Sequence, residues 1–145
     1  VKADPEPLSN PIILINQELK MIRADFPSSE KSDQFRYRHF DLLSRKNVTL
    51  FRFDGASLMM LTDKYFKIPV ILEDISDIEV INAVSQISIF CPVNMPPAEI
   101  HKKISNAVNI PETLNYNTDK MFISMIVYED KAEDIYRDIH RLLIG

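Results

Sequence analysis

The chain has 145 residues, 46% hydrophobic and 26% charged, with a net charge of −4, one cysteine and two glycines. That length and balance fit a single globular domain, and no apolar run approaches the roughly 20 residues of a membrane-spanning helix. Cys91 alone excludes an internal disulfide framework and a multi-cysteine zinc site; two glycines are too few for a dinucleotide fingerprint, and Gly55 and Gly145 lie too far apart for the G-x-S-x-G of a nucleophile elbow; the GK[ST] sequence of a P-loop is absent as well.

The first residue is Val1 rather than Met, which reads as processing or excision from a longer protein. Residues 1–9 read as a flexible tail or linker with no signal-peptide features, and the lone cysteine points to a reducing, cytoplasmic setting. Residues 10–145 read as one α+β domain. Asn10 before Pro11 is a helix-start signal, and Ile12, Ile15, Leu19, Ile22 and Phe26 follow at spacings of three and four. This predicts an amphipathic helix over 10–28. It either packs on its own domain or presents Ile15, Leu19 and Ile22 as a dimer seam or docking face.

"PSSEKSDQ" reads as a loop, and "FRYRHF" alternates like an edge strand. From Phe35 to Phe53 the chain holds Arg36, Arg38, Arg45, Lys46 and Arg52 against Asp41 alone, in an otherwise acidic protein. Arg36, Tyr37 and Arg38 suit a protein interface, since arginine and tyrosine are enriched at binding hot spots. They could also serve single-stranded RNA, but the glycines interleaved with aromatics in RNA-binding strands are missing, which argues against nucleic acid. A half-buried strand with solvated arginines is the plainest alternative.

"NVTLFRF" reads as a strand. Asp54-Gly55 then opens two readings. In one it is a type I′ turn returning as the strand "ASLMML". In the other it leads into a helix from Ser57 to Ile68, with Leu58, Leu61, Tyr65 and Ile68 on one face; propensity and periodicity favour that helix. "PVILEDI" reads as a strand, and "EVINAVSQISIFCP" as another, although Ser76 and Glu79 form a capping box that would allow a short helix over 77–85. A helix follows Pro96 with Ile100, Ile104 and Val108 inward. "NIPETLNYNTD" reads as a loop, "KMFISMIVYE" as a buried strand and "DKAEDIYRDIHRLLI" as a closing helix. From residue 47 the first six elements run βαββαβ, the order of a ferredoxin-like sandwich. Residues 35–145 thus supply sheet and helices, with an added N-terminal amphipathic helix and a C-terminal helix.

"VTLFRFDGASLMMLTDKYFKIPVILEDIS" resembles the opening of an ACT domain, a small regulatory module that often binds amino acids, and "EVINAVSQISI" with "FISMIVYEDKAEDIYRDIHRLL" is similar to the regulatory region of aspartokinases. The resemblance spans about 47–92 and 120–144. It implies a strand, an acidic turn and a helix, and it places a small-molecule site at Asp54, Gly55, Ala56 and Ser57. Ala56 and Ser57 stand where the family carries Pro-Gly, and Pro69 replaces a glycine that lets backbone N–H groups approach a ligand.

No catalytic, metal or cofactor residue is assigned. Cys91 with His39 or His101 has no sequence adjacency, the three histidines lack ligand spacing, and the carboxylates of Glu73, Asp74, Asp77 and Glu79 lack the spacing of an EF-hand loop. Asp130, Asp134 and Asp138 form a solvated helix face. The expected function is a non-enzymatic regulatory or assembly module, acting by self-association or by binding a protein, with a small ligand in the ACT-like case. The alternatives are a docking scaffold or chaperone-like module, and a single-stranded RNA-binding domain.

Overall fold

The computed structural model describes residues 10–106, 108, 109 and 112–145. The elements are β1 (Ile12–Asp25), α1 (Ser29–Arg38), α2 (Phe40–Leu43), β2 (Val48–Asp54), β3 (Ser57–Asp63), α3 (Val70–Ile75), β4 (Asp77–Phe90), α4 (Pro97–Ile104), β5 (Asn115–Thr118), β6 (Phe122–Tyr128) and α5 (Glu129–Leu143). The contacts divide into two units. The inserted unit is Glu18–Val84; the outer unit combines the segment ending at Gln17 with Ser85–Gly145.

The division cuts both 14-residue strands, β1 and β4, so each unit receives part of each. In the inserted unit the chain passes through the second part of β1, then α1, β2, β3, α3 and the first part of β4. That is βαββαβ, with strand order β2-β3-β1-β4. In the outer unit it passes through the second part of β4, then α4, β5, β6 and α5. The fourth strand is residues 12–17 of β1, giving the order β1-β4-β6-β5. Each is the antiparallel ferredoxin-like arrangement, and the outer one draws its last strand from the start of the chain. The α+β, ferredoxin-like class expected from the sequence is therefore present, in two copies.

The N-terminal amphipathic helix over 10–28 is not: that segment is β1. In the inserted unit β1 is buried on both faces, with Leu19 and Met21 on one and Ile22 and Ala24 on the other. A strand covered on both sides loses strict alternation, and its apolar residues then mimic helical spacing. Glu18 adds to the effect, because its φ of 61° breaks the alternation where β1 passes from one unit to the next. Ala83 does the same in β4 with φ 55°. Left-handed backbone costs a side-chain-bearing residue about 1–2 kcal/mol.

Four further expectations are corrected. "FRYRHF" is the end of α1 and start of α2, not a strand; Ser28 caps α1, its side chain accepting from Lys31 N at 3.2 Å, and Glu30, Arg36 and Arg38 suit the helix dipole. Residues 57–63 form β3, not a helix. Asp54 pairs with Ser57 across Gly55-Ala56, and Gly55 has φ 60° while Ala56 does not turn left-handed. That is the pattern of a type II′ hairpin turn, whose geometry outweighs the helical propensity of "ASLMML". "PVILEDI" is the short helix α3, which buries Leu72 and leaves Val70 69% exposed. β4 is a strand over 77–90, so the capping box at Ser76 goes unused. Part of the expected loop after α4 is β5, paired antiparallel with β6.

The inserted unit centres on Ile22, Ala24, Phe26, Phe35, Leu58, Met60 and Leu72, and the outer unit on Ile87, Ile89, Ile100, Ile104, Ile123, Met125 and Ile139. Replacing Leu19, 5% exposed, by Asp should unfold the protein rather than yield a folded domain that has lost a docking face. Replacing Gly55 by Val should cost about 1–2 kcal/mol in urea unfolding, whereas Asn should be tolerated better.

Candidate functional site

β1 ends at Asp25, and Phe26 and Pro27 turn the chain into α1. This is the inserted unit's strand–turn–helix, with an acid and a proline in the turn. Phe26 is buried against Phe35, ring centroids 5.4 Å apart, which fixes the angle of entry into the helix. Phe26 N donates to Ala56 O at 2.8 Å, and Ser57 Oγ donates to Asp25 Oδ1 at 2.6 Å. The hairpin residues Asp54, Gly55, Ala56 and Ser57 are thus tied to Asp25–Ser28.

The sequence reading placed the ligand site on Asp54–Ser57 as a turn into a helix. The structure puts those residues in a hairpin, beside the true turn into a helix. The turn and the hairpin bring two acidic residues to this end of the unit, Asp25 bonded to Ser57 and Asp54 paired with Ser57 across the hairpin, and the first turn of α1 starts from the same turn. The amides of that first turn favour an anion and the carboxylates favour a cation. Asp25, Phe26, Pro27 and Ser28 were missed because 10–28 read as one helix. The usable signal was Pro27-Ser28 with Glu30 two residues on.

The expected interface residues separate. Arg36, Tyr37 and Arg38 lie exposed on α1, with Tyr37 at 90%. Arg36 Cζ stands 5.4 Å from the centre of the Phe53 ring, and Phe53, Phe51 and Phe40 continue edge-to-face at 6.2 and 6.0 Å. Phe51 and Phe53 pack against the core, which removes them from the stacking platform an RNA strand would need. Ile15 is half-buried against the outer unit's core, and Leu19 and Ile22 are buried, so none of the three is a free docking face.

In the outer unit Cys91 is buried, and burial pushes its thiol pKa up. Burial, and secondarily Cys91, also raises Tyr116, whose hydroxyl lies 2.8 Å from His101 Nδ1. His39 instead caps α1 in the inserted unit. A protonated, buried thiol is a poor nucleophile. A cavity of about 530 Å³ is lined by Val108, Val127, Tyr128, Lys131, Asp134 and Asp138, among others. Asp134 and Asp138 each face an arginine on their own helix, at 3.6 and 4.0 Å. Among the described residues no cluster of His, Cys, Asp and Glu could hold a metal ion, and no helix is long and apolar enough to cross a membrane.

No family model matches the chain, and no curated protein sequence does. Solved structures do. A structure described as a C-terminal regulatory domain of aspartate kinase from Porphyromonas gingivalis W83 matches with a TM-score of 0.73 and 15% identity, covering 93% of this chain and 98% of that one. The ligand-free regulatory subunit of aspartate kinase from Thermus thermophilus matches at 0.65 and 15%, over 90% and 95%. E. coli aspartokinase III, in complex with lysine and aspartate, matches at 0.73 and 12%, over 99% of this chain but 35% of that one. The fold is that of the regulatory, ACT-type domains of aspartate kinases.

Ser57→Ala should cost about 1 kcal/mol through the lost bond to Asp25, and the Asp25→Ala, Ser57→Ala double variant should cost less than the two singles added, as read by urea unfolding. Iodoacetamide should label Cys91 slowly in the folded protein at neutral pH and much faster in denaturant; equal rates would show the thiol is not shielded.

Proposed function

We propose that this chain is a non-catalytic regulatory module that binds a free amino acid or similar small zwitterion at the Asp25–Ser28 and Asp54–Ser57 turns, and that works in a self-associated state. The observation that carries the reading is the junction of those two turns at one end of a complete ferredoxin-like unit, in a chain that follows the fold of an aspartate kinase regulatory domain over 93% of its length. An α-carboxylate would meet the N-terminal amides of α1, and an ammonium group would meet Asp25 and Asp54. Glu30, exposed in the first turn of α1, adds a third carboxylate and tilts the preference toward a cationic amino acid such as lysine. The likeness to isolated regulatory domains and subunits, along nearly their whole length, supports regulation over catalysis.

A second reading rests on Tyr37, 90% exposed between Arg36 and Arg38: this face of α1 would dock an acidic protein surface. Tyr37→Ala would then weaken partner capture and leave ligand binding intact.

Thermal unfolding against a panel of amino acids tests the main reading. A ligand at about 100 times its Kd should add roughly 2.7 kcal/mol and raise the melting temperature by several degrees. Asp25→Asn should abolish that shift in a protein that still folds. No shift with any amino acid, or a shift that survives both Asp25→Asn and Asp54→Asn, would overturn the assignment.

A further inference from the structure

The outer unit holds a cavity of about 530 Å³ where α4 and β6 finish and α5 begins. Cys91 N donates to Met121 O at 2.7 Å, so the end of β4 meets the start of β6. Tyr128, at the other end of β6, therefore lies far along the sheet from the turn into α4, and the cavity is at that far end. Every lining residue falls within 108–138, so the cavity shares no residue with the Asp25 and Asp54 turns of the inserted unit. Its volume is within the roughly 300–1,000 Å³ of small-molecule sites.

Backbone bonds fix its wall. Val108 N donates to Ile104 O at 2.8 Å, Glu112 N to Asn109 O at 3.0 Å and Leu114 N to Ile126 O at 2.9 Å, which ties the segment after α4 to that helix and to β6. Val108 and Val127 belong to the buried core and Ile135 packs on it, giving an apolar floor. Lys131, Asp134, Ile135 and Asp138 stand at i, i+3, i+4 and i+7 on one face of α5. Among the lining groups three carboxylates, Glu112, Asp134 and Asp138, outnumber the single ammonium of Lys131. Asp134 and Asp138 do meet Arg137 and Arg141, but at 3.6 and 4.0 Å and with every side chain about half exposed or more. A cationic ligand displaces such pairs at little cost.

We infer that this cavity binds a short aliphatic diamine. The acidic lining selects a cation, and a carboxylate on the ligand would add to charge already in excess, which disfavours a zwitterion. A bare metal ion does not fit either: among the described residues no group of three His, Cys, Asp or Glu could hold one, so the three carboxylates do not converge on a point. Separated acids call for separated positive charges. Asp134 and Asp138, one turn apart, hold their Cβ atoms about 5–6 Å from each other, the reach of a short methylene chain. Val108, Val127 and Ile135 give that chain an apolar bed. The ring of Tyr128 is a further attraction for an ammonium group. The ligand differs in class from the amino acid proposed for the turns, and the site stands whether or not that reading does.

Calorimetric titration of the full chain with putrescine at low salt, alongside amide spectra, tests it. Butanediol, which lacks the charge, and magnesium, which lacks the chain, are the controls. Putrescine should bind once per chain, more weakly as salt rises, and should shift the amide signals of Val108, Val127 and Ile135; neither control should do so. The Asp134→Asn, Asp138→Asn double variant should bind about tenfold more weakly with far-UV dichroism unchanged, and Lys131→Gln about threefold more tightly, a gain that loss of structure would not produce. Asp25→Asn should leave putrescine binding unchanged; a loss there would put the ligand at the inserted unit's turns and overturn this site. No binding of putrescine at low salt overturns it as well. So does binding that magnesium matches, or that survives the double variant, because a diffuse acidic surface would then suffice.

Discussion

Two strands that each serve two units set the terms for the rest of the structure. β1 and β4 are 14 residues long, well beyond the five or six of a typical strand, and each passes from one unit into the other. Each unit needs four strands to bury one face of its helices, and neither obtains four without its share of β1 and β4. The inserted unit closes within 18–84. The outer unit closes only because residues 12–17 return as its fourth strand. Glu18 and Ala83, the left-handed residues in the two strands, fall within two residues of the points where the chain changes unit. Backbone strain of this kind persists where the surroundings over-determine it.

The position of the candidate site follows from that arrangement. Because β1 ends at Asp25, the next residues must turn into α1, and because β1 pairs with β3, the β2–β3 hairpin lands against that turn. Asp25 and Ser57 are register partners before they are hydrogen-bond partners. A loop pair joined through the ends of a paired sheet is a firm platform for a small ligand, since backbone bonds fix both loops.

Much of the second half of the chain was legible: α4, β6 and α5 have clean apolar faces at Ile100/Ile104, Ile123/Met125 and Ile135/Ile139, and the structure keeps them. The first half was not, for identifiable reasons. β1 is covered on both faces in the inserted unit and interrupted at Glu18, so period two is lost. α1 buries only Ser32 and Phe35, so its apolar stripe is too thin to show. α3 exposes Val70 and Ile71, which read as strand residues. At 54–57 the deciding term is the backbone of Gly55, which propensity sums do not weigh. Reading β1 as a helix also moved the expected ferredoxin-like unit to residue 47, and with it the expected site to one of the two turns of the candidate site. The family resemblance pointed to the right fold although its alignment began on the wrong strand.

The central claim is that each unit is complete once it holds its own parts of β1 and β4. Amide spectra of excised pieces test this most directly. Residues 18–84 alone should give the dispersed spectrum of a folded domain. Residues 85–145 should stay unfolded alone and fold when 10–17 is joined after Gly145 by a flexible linker. An unfolded 18–84, or an 85–145 that folds without 10–17, would contradict the division of the two long strands on which this account rests.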